Sequence, residues 1–179
     1  MTRDDARAIL EKVVAFSEAD GCEANLTGSV EGNIRYARNS VSTAGETRTV
    51  DLAVQCNFGQ RVGTATINEF DDESLAKVVA RAEETARLAP ESPEFMPVLG
   101  PQKYDEGRAF AEKTAAIKPT YRAEAAAASI GPAKKNGATA AGFLNDSASF
   151  SAMMNSEGLF AYHTETNVNF TVTVRTDDG

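Results

Sequence analysis

Asn167-Val168-Asn169-Phe170-Thr171-Val172-Thr173-Val174-Arg175 alternates polar and apolar side chains without a break. Successive side chains of an extended chain point to opposite faces, so this stretch predicts a half-buried strand of an antiparallel sheet. Upstream, the same period of two recurs over residues 159–165, 148–154 and 139–144, with turns expected at Glu157-Gly158 and Asn145-Asp146. Before residue 139 the period lengthens to that of a helix. Pro119 suits a first helical turn, the helix runs through 123–128, and Gly137 ends it. Gly131-Pro132 inside this span predicts a kink or interruption. Residues 106–117 are weakly helical.

The N-terminal part has the same character. Thr2 and Asp5 resemble a capping box, and Ala6, Ile9, Leu10, Val13 and Val14 share one helical face until Gly21. Strands follow at 22–30 and 33–40, joined at Glu31-Gly32. A polar loop over 42–46, with Gly45, leads into a strand at 49–57. Phe58-Gly59-Gln60 reads as a tight connection to a strand over 61–68. Asp71-Asp72-Glu73 opens a second helix with the charge its dipole favours, Leu75, Val78, Val79, Ala82, Ala86 and Ala89 form its stripe, and Pro90 stops it. Between 90 and 105, Pro90, Pro93, Pro97 and Pro101 predict an extended connector.

Helix, hairpin, strand, strand thus occurs twice. Gly21 and Gly137 stand 116 residues apart, and the same shift matches Ala24 with Ala140 and Asn39-Ser40 with Asn155-Ser156. An internal duplication accounts for both observations. The fold expected is α+β: curved antiparallel sheets backed by amphipathic helices, in two related α-β halves. The halves are 1–89 and 106–179, with 90–105 between them. Asp177-Asp178-Gly179 is a hairpin signal directly after a strand, so a fragment of a longer polypeptide is expected.

Composition removes whole classes of function. The 179 residues carry 18 Lys+Arg against 26 Asp+Glu, a net charge of −8, and the densest basic cluster is Lys134-Lys135. A nucleic-acid surface needs a basic face, so direct binding is not expected. No apolar run approaches the ~20 residues of a membrane span, and Met1-Thr2-Arg3-Asp4-Asp5 does not open a signal peptide. The chain therefore reads as soluble and cytoplasmic. Cys22 and Cys56 are too few for a disulfide framework or zinc knuckle and read as small buried thiols. His163 is the single histidine, so a His-based metal motif cannot form within the chain, and its mid-strand position reads as packing or exposure rather than a catalytic base. No nucleophile elbow, Walker loop or dinucleotide fingerprint is present. No residue is assigned to catalysis or to a metal. Asn39, Ser40, Asn155 and Ser156 have two readings: local capping of the backbone, or a groove that hydrogen-bonds an extended peptide. Arg38 and Arg61 read as members of a solvated face before they read as carboxylate partners.

One family gathers these stretches. Arg38-Asn39-Ser40, then Gly59-Gln60-Arg61-Val62-Gly63-Thr64-Ala65-Thr66-Ile67-Asn68, an acidic helix start, the Pro-rich connector to Tyr104, and Met154-Asn155-Ser156-Glu157-Gly158 together resemble the N-terminal domain of the TldD/PmbA family, also called modulators of DNA gyrase. The resemblance implies a cytoplasmic parent whose C-terminal domain is absent from this chain. It implies a zinc metallopeptidase system, with a His-Glu-x-x-x-His helix in the C-terminal half of the TldD type and none in the PmbA (TldE) type. It implies a homo- or heterodimer of such subunits that degrades or trims unfolded and extended peptides. No position here matches the metal motif, so no cofactor is expected in this chain, and zinc is expected only in the full-length protein or its partner. The alternative is a non-catalytic partner subunit or interaction module.

Overall fold

The computed structural model describes residues 1–105 and 107–176. The expected turn at Asp177-Asp178-Gly179 lies outside the described residues.

Helix α1 (Arg3–Phe16) begins where Thr2 and Asp5 form their capping box: Asp5 N–H donates to the Thr2 hydroxyl and Thr2 N–H to the Asp5 carboxylate, both at 3.1 Å. Helix α2 (Asp72–Leu88) starts behind Asp71, whose carboxylate accepts the Ser74 N–H at 3.0 Å. Three N–H donors at the helix starts are satisfied this way, and the helix dipoles face negative charge. The strands are β1 (Gly21–Ala37), β2 (Ser40–Phe58), β3 (Arg61–Ile67), β4 (Thr139–Asn155) and β5 (Phe160–Arg175). They hydrogen-bond as one antiparallel sheet in the order β3-β2-β1-β4-β5. The expected α+β architecture is present, and shifting α1 by 116 residues lands it at the start of α4 (Pro119–Lys135).

Several local expectations are corrected. Glu31-Gly32 is not a turn, 42–46 is not a loop, and Asn145-Asp146 is not a turn; each lies inside a long strand. The segments 159–165 and 167–175 are likewise one strand. The expected turns at Gly59 (φ 57°) and Glu157-Gly158 (Gly158 φ 86°) form, and the remaining reversal lies at Arg38-Asn39 (φ 51° and 59°). Asn and Gly tolerate that left-handed region at low cost. Helix α4 runs through Gly131-Pro132 because the proline sits in its last turn, where one missing donor removes little, and Asn136 closes on the Pro132 carbonyl at 3.2 Å through its N–H. Of the weak helix over 106–117, only α3 (Glu112–Ala115) forms.

The chain divides into two compact units, one of residues 1–28, 50–107 and 150–163, the other of 29–49, 108–149 and 164–179. Each draws on both sequence halves. In the first, Ala6, Leu10 and Val13 of α1 and Leu75, Val78, Val79 and Ala82 of α2 bury the alternating residues Cys22, Ala24, Leu26, Leu52, Val54 and Cys56, with Ala65 of β3. Gly63 sets how near α2 lies: a Cβ there would overlap the Ala82 carbonyl and the Ala86 N–H. In the second, Ala126 and Ala133 of α4 cover Ile34, Tyr36, Ala138, Ala140 and Leu144. Tyr36 is fully buried over Gly142, where a Cβ would overlap its hydroxyl. The apolar row of β5, expected to be half-buried, is exposed from Val168 to Val174.

Candidate functional site

The paired Asn-Ser turns come first because the sequence singles them out. Asn39 sits at the β1–β2 reversal in the second unit; its side chain donates to the Ala138 carbonyl at 2.8 Å and accepts the Ala140 N–H at 2.7 Å, while its own N–H reaches the Ala140 carbonyl. Asn155 closes β4 in the first unit and is 2% exposed. It donates to the Leu99 carbonyl at 2.8 Å and accepts the N–H groups of Glu157 and Leu159. Ser156 exchanges two bonds with Cys22, N–H to carbonyl at 2.8 Å and hydroxyl from N–H at 3.1 Å. Ser40 is exposed. Each pair clamps a turn to the first residues of the other half's leading strand. Both asparagines spend their amide groups on backbone.

The residue sequence reasoning missed is Arg122. It lies in the first turns of α4, 3% exposed, and its Nε and Nη2 bind the Asp146 carboxylate at 2.6 and 2.8 Å. Glu46 adds a second carboxylate at 3.3 Å from Nη1. Gly32 faces the guanidinium so closely that a Cβ would overlap it. This bidentate pair holds the proton on Arg122 more firmly than usual, through the Asp146 hydrogen bonds. Next to it, Asn33, Ile34, Gly45, Glu46 and Pro119 line a groove of about 240 Å³. The signal was present but misread: Glu31-Gly32, Glu46 and Asn145-Asp146 are the three supposed breaks, and they surround one buried cation.

In the first unit Ser17 bridges a second polar cluster. Its hydroxyl donates to the Glu83 carboxylate at 3.0 Å and lies 3.8 Å from the Cys56 sulfur, while the Glu18 N–H also donates to Glu83. Cys22 and Cys56 are buried free thiols, as expected; the hydrogen bond between the two sulfurs, helped by burial, pushes the Cys22 thiol up. The same bond to Cys22, joined by the Ser17 hydroxyl, lowers the Cys56 thiol, which is itself fully buried. His163 packs against Gly107 on an exposed strand segment.

Among the described residues no three His, Cys, Asp or Glu side chains gather to hold an ion. The buried carboxylates are already committed to Arg122 or to backbone, so the residues present do not fit a catalytic zinc. No helix among the described residues is long and apolar enough to cross a membrane.

Residues 22–86, from the start of β1 to the last turns of α2, match the family model described as PmbA/TldA metallopeptidase domain 1. The match covers about a third of the chain and likens that part to the first domain of such proteins. No curated protein matches it. Among solved structures, TldE from Thermococcus kodakarensis superposes with a TM-score of 0.79 at 18% identity, over 96% of this chain and 43% of that one. A candidate modulator of DNA gyrase from Bacteroides thetaiotaomicron VPI-5482 gives 0.78 at 12% identity, over 97% and 42%. Another, from Thermotoga maritima MSB8, gives 0.76 at 12%, over 96% and 44%. At these identities the likeness concerns the fold. The chain spans less than half the length of the solved chains it resembles.

Proposed function

We propose that this domain is the scaffold and one wall of a peptide-holding chamber in a TldD/PmbA-type zinc metallopeptidase system that trims unfolded or extended peptides. The metal chemistry then resides outside residues 1–179, in the full-length protein or its partner subunit in the cytoplasm. The observation that carries the reading is the family-model match over a segment that contains β3. β3 is the outermost strand of the sheet order, and Thr64 and Thr66 share its exposed face. Unpaired N–H and C=O groups on such an edge accept an extended chain whatever its side chains, as peptide trimming without sequence preference requires. Asn39, Ser40, Asn155 and Ser156 enter as positioning residues that hold the strand ends through their turns. The parent's partner is a second TldD/PmbA-type subunit, in a homo- or heterodimer.

Hydrogen exchange on the assembled complex, with and without an inert extended peptide, tests the edge: slower exchange over 61–67 is expected, and unchanged exchange there overturns the assignment. Peptide hydrolysis by the 179-residue chain alone, with zinc supplied, would overturn the division of labour. The other reading, a parent of the non-catalytic PmbA (TldE) type, is decided by whether the parent sequence contains a His-Glu-x-x-x-His helix.

A further inference from the structure

A shift of 116 residues lays β2 on β5 and sets Val168, Phe170, Val172 and Val174 on Leu52, Val54, Cys56 and Phe58. Leu52, Val54 and Cys56 are each 0% exposed. They owe this to β3, which pairs beside them, and to α2, which brings Leu75, Val78, Val79 and Ala82 into the same core. Their counterparts Val168, Phe170 and Val172 are 50, 45 and 43% exposed. The two rows are equally apolar, so the difference is cover rather than chemistry.

The rest of β5 narrows what would supply that cover. At Thr166 its edge is already engaged: the N–H donates to the Ala109 carbonyl and the hydroxyl accepts the Ala111 N–H, both at 3.0 Å. Beyond that point begins the stretch that corresponds to the part of β2 paired with β3, and β5 is last in the strand order. Beside Val168 lies a groove of about 450 Å³ whose lining includes Ile117 and Tyr121, with Lys113 and Lys118 as its cations. The α1–α2 pair has the same polarity: Lys12 meets Asp72, in the acidic first turn of α2, at 2.6 Å.

We propose that residues 168–174 are a docking site for a strand followed by an amphipathic helix with an acidic first turn, a segment built like β3–α2. The strand adds to the β5 edge, and the helix lays its apolar stripe on Val168, Phe170, Val172 and Val174. The acidic turn faces Lys113 and Lys118.

The probe is the chain's own segment 59–89, joined directly after Val174, the position that matches Phe58. Amide exchange over 168–174 should slow at least about tenfold relative to the 179-residue chain. Phe170→Thr should then lower the thermal midpoint of the extended chain by several degrees, while shifting that of the 179-residue chain by no more than about 1 °C. Unchanged exchange overturns the proposal. So does equal protection by segment 59–68, which lacks the helix, since an extended peptide would then be the occupant. A dimer of the 179-residue chain in sedimentation, dissociated by Phe170→Lys, assigns the face to a second copy and overturns it too.

Discussion

At the scale of single residues, the buried Arg122–Asp146 pair concentrates the most energy in the fewest atoms. Arg122→Leu leaves Asp146, 6% exposed, without its counter-charge, and is expected to destabilise the chain by about 3–5 kcal/mol in urea unfolding. Arg122→Leu combined with Asp146→Leu should recover most of that loss, because both desolvation penalties disappear together. The two helix caps carry a pH dependence. Asp5 is held below the ordinary carboxylate range by the Thr2 hydroxyl and backbone, and Asp71 by the Ser74 N–H. A depressed folded-state value stabilises above the unfolded value, about 3.9, and the contribution vanishes as pH falls through the lowered one. The thermal midpoint of Asp71→Ala should therefore lie below that of the parent chain at pH 6, with the gap closing toward pH 2. The buried thiols were readable because their type and number allowed little else. Arg122 was not, because a cation on an alanine-rich helix reads as solvated, and only the tertiary partners on β2 and β4 reveal it.

At the scale of elements, caps and apolar stripes placed the start of α1 and both ends of α2 almost to the residue, since local hydrogen bonds decide helix ends, whereas α1 stops at Phe16 and not at Gly21, which opens β1. Strand lengths were under-read for one reason: polar residues and glycine inside a strand look like turns unless a buried charge explains them. Gly63 is a related case. It stands in the Arg-Val-Gly-Thr-Ala stretch that suggested the family, and its role is to let the α2 backbone approach β3. Because backbone atoms cannot step aside as a flexible side chain can, Gly63→Ala should cost at least about 1–3 kcal/mol. Gly100→Ala, with nothing within 4 Å of the added carbon, is the control expected to leave the unfolding midpoint in place.

At the scale of the whole chain, the 116-residue repeat was legible in four residue matches and in element order, but not the exchange of bulk that accompanies it. In the first unit's core Leu26 is large and Ala152 small; the equivalent positions in the second unit are Gly142 and Tyr36, small and large. Gly142→Leu alone must collide with the Tyr36 ring. Together with Tyr36→Ala it removes the ring clash but leaves the Thr171 carbonyl against the new carbon, so the double variant should stay destabilised yet be about 1–3 kcal/mol more stable than the two single losses predict. Thermal or urea unfolding of the three variants measures that coupling directly.

Both native sulfhydryls are sealed inside the first unit, which gives the molecule a built-in blank for labelling chemistry. A maleimide dye should ignore the folded wild-type chain and react twice once it is denatured, so dye uptake counts unfolded molecules. A cysteine placed at exposed Ser40 would then be the sole handle in the native state, ready for a fluorophore that reports distances within the intact assembly.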